Sequence, residues 1–315
     1  MTTPRSGFRY RIRNWRQYNR ALINRGRLTV WFDEKTVVAW HNTEPAAGPG
    51  APRLYADLAI ECALVFNSVY HLSLRAAQGF LSSVIELMKL TLPIPDYSTV
   101  SRRQGVLQAP VSPTLRSDPR HVVIDATGLK VYGAGEWHVW KHRVSRRRTW
   151  RKLHLGVDES TKEIVAVELT ESRVHDSQQV PSLLEQIPDP IGQVSGDGAY
   201  DTRACYEAVL QRGAVPTFVP RRTAQPCAAK DPTGWRAARN RILQQIETYG
   251  RSAWQVLSGY TRQSIAENTV FRFKVLFGGR LWARGLETQR TEARIKCSVL
   301  NRMTRLGMPE PMRAF

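Results

Sequence analysis

Three acidic residues, Asp125, Asp197 and Glu267, stand in sequence contexts that could bring them into one site. Asp125 interrupts an apolar, β-branched run from Val122 to Val131, which predicts a strand carrying a carboxylate at its middle. Burying an ionised carboxylate is costly unless it is paired or holds a metal. Asp197 ends a second short strand inside Gly-Asp-Gly-Ala-Tyr, and Glu267 falls on a predicted helix that follows Gly259. Three carboxylates converging from two strands and a helix repel one another, by up to ~4 kcal/mol per pair at about 4 Å and an effective dielectric near 20, so a cation must sit among them. Oxygen ligands with no Cys or His pattern nearby select a hard divalent ion, Mg²⁺ with Mn²⁺ as its substitute. Two such ions ~3.5–4 Å apart stabilise both the attacking and the leaving oxygen of a phosphodiester, where general acid–base catalysis alone supplies roughly 10²–10⁴-fold. Taken singly, each acid keeps another reading. Asp125 followed by Thr127 is near the Asp-x-Asp of dehalogenase-type phosphatases, Asp197 fits a turn, and Glu267 fits a solvated helix face.

The elements that must position these acids belong to a chain of 315 residues, 42% hydrophobic, long enough for one large domain or two ordinary ones. Lys and Arg number 46 against 27 Asp and Glu, leaving a net charge of +19 and a pI near 10.4. A polyanion is the partner this implies, nucleic acid rather than an anionic membrane, because no basic stretch also carries a strong apolar helical face. With no signal-peptide pattern and no apolar run near the ~18 residues of a membrane span, the expected location is the cytoplasm. Cys62, Cys205, Cys227 and Cys297 lack paired spacing, which fits packing residues rather than a zinc ribbon or a disulfide framework.

In order, residues 1–44 read as an arginine-rich DNA-binding arm in which Arg11, Arg13 and Arg16 alternate with Tyr10, Trp15 and Tyr18. The Pro- and Gly-rich stretch 45–53 reads as a linker. Residues 54–115 form a helical, helix-turn-helix-like module: helices from Leu54 to Phe66 and from Leu74 to Met88, then a short basic one, capped by Asp96 or Ser98, that offers Arg102 and Arg103 outward. From 116 to 315 the pattern is α/β. Strands at Val122–Val131, Trp150–Asp158 and Ile164–Leu169 form an antiparallel meander; strands at Val194–Asp197 and Val215–Val219 then alternate with helices, which makes a mixed sheet flanked by helices. The polar stretch of about 220–258 reads as an insertion lying on DNA, with Trp235 and Trp254 as rings on which a base could stack. Helical patterning resumes near Tyr260, stops at Gly278, and returns from Glu287 to Leu306.

These residues together resemble the DDE transposases of bacterial insertion sequences, of the insertion sequence 5 family. The likeness runs through Arg13-Asn-Trp-Arg-Gln-Tyr-Asn, Trp31-Phe-Asp-Glu, the segment Pro95 to Arg103, Asp125 to Glu159, Gly196 to Thr202, and Leu300 to Pro309. It implies a ribonuclease-H-like catalytic domain with Asp125, Asp197 and Glu267 as the metal-binding triad. It also implies an enzyme that cuts at its element's terminal inverted repeats and joins the freed 3′-hydroxyls to target DNA. The family's last motif is Tyr, two residues, Arg, three residues, Glu, six residues, Lys; Tyr260, Glu267 and Lys274 match it, but Gln263 stands in the arginine's place beside Arg262.

If the helix is regular from Tyr260, then Tyr260, Glu267 and Lys274 lie within about 20° of one line, Gln263 sits about 40° from Glu267, and Arg262 points away. Lys274 is then the main cation of that face. The block from Lys141 to Lys152, with Arg146, Arg147 and Arg148, reads as a charged hairpin on the DNA backbone. His138 and His142 are given no metal. His175-Asp176 precedes a helix that Asp176 could cap. Two element ends must be held together for joining, so a homodimer on double-stranded DNA is expected. A DNA-binding repressor without activity, or a stand-alone ribonuclease-H-like nuclease that cuts but does not join, would share much of this pattern.

Overall fold

The computed structural model describes residues 9–43, 53–131, 150–228 and 233–314. The chain opens with strand β1 (Arg9–Ile12) and helices α1 (Trp15–Asn24), α2 (Leu28–Trp31) and α3 (Glu34–Val38). Helices α4 (Asp57–Val69), α5 (Leu74–Leu87) and α6 (Tyr97–Gln104) follow, then strands β2 (Arg120–Val131), β3 (Trp150–Asp158) and β4 (Ile164–Glu171). Helix α7 (Val180–Glu185), strand β5 (Ile191–Gly196), helix α8 (Arg203–Gln211) and strand β6 (Val215–Phe218) come next. The chain ends with helices α9 (Gly234–Tyr249), α10 (Arg251–Leu257) and α11 (Ser264–Phe277), strand β7 (Arg280–Leu281), helix α12 (Leu286–Leu306) and strand β8 (Pro311–Ala314).

The main sheet has the order β4-β3-β2-β5-β6, with β7 paired to the far end of β2. The meander β2, β3, β4 is antiparallel and β2, β5, β6 are parallel. Alternation along β2 separates two cores. Val123 and Leu129, with Leu153, Leu155 and Val157 of β3, face one side and pack with Ala266, Phe273 and Phe277 of α11 and the buried stripe of α12. Val122 and Ile124 face the other, against α7, α8, Ile242 and Trp254.

The residues ahead of the sheet are built in more firmly than their sequence suggests. The segment read as an arm is folded: β1 pairs antiparallel with β8, Arg13 N–H donates to Glu310 O at 2.8 Å, and Trp31, Phe32 and Trp40 are buried. Those rings share one apolar cluster with α4 and with the sheet residues Val123 and Leu155, so the helical segment packs on the sheet rather than standing apart. Its second and third helices match expectation, with Ser73 and Asp96 as caps, while the first is shifted to Asp57–Val69. The polar stretch read as lying on DNA contains α9 and α10, which bury Ile242 and Trp254. No helix among the described residues is long and apolar enough to cross a membrane. The four cysteines are free, and all but Cys227 are buried.

Candidate active site

The register of the parallel strands brings two of the acids abreast. Val122 pairs with Val194 and Val123 with Ser195; two residues further along, Asp125 and Asp197 fall on one face of the sheet. Asp125 also pairs with Leu155, whose side chain belongs to the core beneath α11. Asp197 lies one residue past β5 and caps the 3₁₀ turn Gly198–Tyr200. The preceding residue has to be glycine, since a Cβ on Gly196 would stand 2.7 Å from the buried Tyr200 ring. Glu267 comes down from the same side, in the first turn of α11, where it is exposed while its neighbour Ala266 is buried against the sheet.

Electrostatics link the three. The Asp125 carboxyl is pushed up to about 6, first by burial and then by the charges of Asp197, Glu267 and Asp176, against a lowering bond from its neighbour Ala126 N–H. The half-buried Tyr260 hydroxyl is raised by burial and by the carboxylates of Asp197, Glu267 and Asp125. Among the described residues no Lys, Arg or His forms an ion pair with Asp125, Asp197 or Glu267, although Asp125 senses the other two. One oxygen of Asp125 accepts from Ala126 N–H at 2.8 Å and one of Asp197 from Ala199 N–H at 2.9 Å. As they stand, no three His, Cys, Asp or Glu side chains among the described residues are gathered closely enough to hold an ion. The donor set is nevertheless of the right kind: all oxygen, one carboxylate partly desolvated and all three uncompensated, which suits a hard divalent cation and no softer metal.

The other sequence-derived residues divide into those left open to solvent and those held by the protein. Lys274 is exposed on α11, seven residues from Glu267 and hence on its face. Arg11, Arg13 and Arg16 are exposed, as is Arg102, whose guanidinium reaches only Ser98 and Thr99 on its own helix. Arg103 instead pairs with Asp57 and donates to Tyr55 O, which ties α6 to α4. Trp254 is 1% exposed and stacked on Tyr260 at 5.9 Å, so it supports the site from within and has no face for a base. Trp235 is half-buried with the Arg236 guanidinium 5.3 Å from its ring. Arg146, Arg147 and Arg148, with His138 and His142, lie outside the described residues.

The approach to α11 departs from a regular helix. Gly259 adopts φ +73°, Tyr260–Gln263 is a 3₁₀ turn, and the α-helix begins only at Ser264, so Tyr260 leaves the Glu267–Lys274 line. Arg262 pairs with Glu159 at 3.0 Å, and Gln263 is buried, its Nε2 donating to Ile124 O at 2.8 Å. Asp176 is no helix cap either. His175 takes that position, and Asp176 faces Lys152 Nζ at 3.1 Å and His154 Nδ1 at 3.7 Å. His154 is wholly buried, with Nε2 2.8 Å from Thr170 Oγ1; burial drives its pKa down to about 4, against the pull of Asp176, and keeps it neutral. A fourth carboxylate acting on Asp125 had no periodic signal in the sequence; its one local mark was the His175-Asp176 pair.

Comparison with known proteins adds a family. A family model described as a transposase DDE domain matches residues 116–302, and a second with the same description matches residues 23–134. Among solved structures, the chain is similar to a piggyBac transposase in a synaptic complex with hairpin DNA, at 11% identity and a TM-score of 0.37, covering 90% of this chain and 73% of that one.

Proposed function

Because the chain belongs to the transposase DDE domain family, whose members are metal-dependent DNA transposases, we propose that Asp125, Asp197 and Glu267 are its metal-holding triad. The enzyme binds the terminal inverted repeats of its own element, cleaves at the ends and joins the freed 3′-hydroxyls to target DNA. Its catalytic domain is ribonuclease-H-like, a reading supported by the strand order with the first strand central, an antiparallel meander on one side and parallel strands on the other. The observation that carries the proposal is the placement of Asp125 and Asp197 abreast on one face of the sheet, coupled electrostatically to Glu267, with Asp125 raised to about 6 partly by the other two.

Two Mg²⁺ ions held by the three carboxylates would supply Lewis-acid stabilisation to both oxygens of the scissile phosphate. The chain's own residues set the rest. Trp254 backs Tyr260 and keeps its ring beside the acids, while Lys274 offers a cation to a phosphate along the α11 face. Arg102 on α6 and Arg11, Arg13 and Arg16 grip the duplex further away. We place the protein in the insertion sequence 5 family, in a bacterial cytoplasm, working as a homodimer that holds two ends.

The test uses the purified protein and duplex DNA from either flank of its reading frame. The proposal expects Mg²⁺-dependent 3′-end cleavage at inverted repeats and covalent joining to a second duplex. Binding without cleavage in any divalent metal would favour the repressor, and cleavage without joining would favour the nuclease.

A further inference from the structure

We propose that Gln193 and Gln263 are positioning residues, a pair of struts that hold the approach to α11 against both acid-bearing strands and thereby place Glu267; the proposal rests on the triad assignment above. Gln263 reaches β2. Its Nε2 donates at 2.8 Å to the carbonyl of Ile124, the residue before Asp125. Gln193 reaches out from β5, four residues before Asp197, and its Nε2 donates at 2.7 Å to Ser258 O and at 2.8 Å to Thr217 Oγ1 on β6. The short segment 258–263 is thus bonded at its start to the Asp197 strand and at its end to the Asp125 strand. Glu267 follows Gln263 by about one helical turn.

Three features favour positioning over simple packing. Gln263 is 7% exposed and its Oε1 is buried with no hydrogen-bond partner. An apolar side chain of the same volume would remove that unmet acceptor, so burial alone does not account for a glutamine. Gly259 lets the segment turn tightly over the strands: its φ is +73°, and a Cβ there would lie 3.7 Å from His121 and 3.8 Å from Gln193. Of the other ties, the stack of Trp254 on Tyr260 reaches neither acid-bearing strand, and the pair of Arg262 with Glu159 involves an arginine that is 59% exposed and contributes little rigidity. The far end of α11 is fixed by the large buried rings of Phe273 and Phe277, whereas the end carrying Glu267 buries only the small Ala266 and Thr269, so the glutamines add the directional ties there.

The experiment measures Mn²⁺ binding by calorimetry, without DNA, in the full-length protein. Gln263→Met and Gln193→Met each remove one strut, and Gln263→Glu keeps the shape while replacing the donor by an acceptor that faces a carbonyl. Thermal unfolding and duplex binding in EDTA accompany each variant. The Mn²⁺ dissociation constant is expected to rise about tenfold for both Gln263 variants and severalfold for Gln193→Met, with DNA affinity in EDTA unchanged. Wild-type Mn²⁺ affinity in a folded Gln263 variant would overturn the proposal, including when that variant melts earlier, since that would make Gln263 merely structural. If Gln263→Met does not fold, Gln263→Glu and Gln193→Met decide. Glu267→Gln serves as the control. Should it bind Mn²⁺ as tightly as wild type, the triad reading fails; should it bind weakly while the glutamine variants bind normally, only the struts fail.

Discussion

At the start of β2, Arg120 is fully buried and divides its guanidinium between Asp158 and Asp189, while five residues along the same strand Asp125 has other carboxylates for company. The first cluster is closed. Arg120 Nε lies 2.7 Å from Asp189, and the second oxygen of Asp158 accepts from Ser160 N–H at 2.8 Å and Thr161 N–H at 3.3 Å. Every charge there is met by the chain itself. The second cluster is open, with Asp125, Asp197 and Glu267 lacking any ion pair among the described residues. One strand therefore shows what this protein does with acids that serve the fold and, by contrast, which acids the chain leaves without an ion pair among the described residues, the ones proposed to hold a metal.

Substitutions at the two ends should fail in different ways. Asp125→Asn, Asp197→Asn and Glu267→Gln are each expected to lower 3′-end cleavage by on the order of 10³-fold or more, about 4 kcal/mol of barrier, while duplex binding in EDTA stays near wild type. A single variant that still cleaves near the wild-type rate in Mg²⁺ would remove that residue from the triad. Arg120→Met should do the reverse. It strands two buried carboxylates, so urea unfolding at neutral pH should show a loss of about 3–5 kcal/mol. A variant of unchanged stability would mean that Asp158 and Asp189 are satisfied without the arginine, and the contrast between the ends would dissolve.

His154 extends the comparison to pH. Burial lowers its pKa to about 4 in the folded protein from the ordinary 6.5. The unfolded chain binds the proton first, so this group's stabilisation is complete above pH 6.5 and is lost as pH falls toward 4, by about 3 kcal/mol in all. Stabilities of wild type and His154→Gln from urea titrations should diverge by about this amount between pH 6.5 and 4. Parallel stabilities would show that His154 takes up its proton without opening the fold.

Much of this was legible in the chain, for identifiable reasons. Asp125 and Asp197 stand out because β-branched strands make a mid-run or end-run acid conspicuous, and the meander follows from alternation in Trp150–Asp158. The stripe Ala293, Cys297, Leu300 and Met303 is buried as its spacing implies. What was not legible depends on partners distant in sequence. Nothing near Arg103 announces Asp57, so it looked free for DNA, nor does anything near Arg262 announce its pairing with Glu159. The N-terminal segment looked like a loose arm because β8, its pairing partner, lies about 300 residues away. Trp254 looked available for stacking because a polar neighbourhood in sequence does not reveal a ring packed on Tyr260. The regular helix expected from Tyr260 gave way to a 3₁₀ turn, entered through Gly259 at φ +73° and bonded to β2 by Gln263.

The most direct test of the account compares the thermal stability of wild type and Asp125→Asn at pH 7, in EDTA and in saturating Mn²⁺. The Asp125 carboxyl is pushed up to about 6, above the ordinary 3.8, so ionising it costs stability progressively as pH rises from about 3.8 to 6, and the full cost is present at pH 7. After allowing for its partial exposure, removing that charge should stabilise the metal-free protein by about 2 kcal/mol. Mn²⁺ should then stabilise wild type far more than the variant, so that the order of the two melting temperatures reverses when the ion is added. An equal Mn²⁺ shift in both proteins, leaving their order unchanged, would contradict the claim that this end of the strand is held open for a metal.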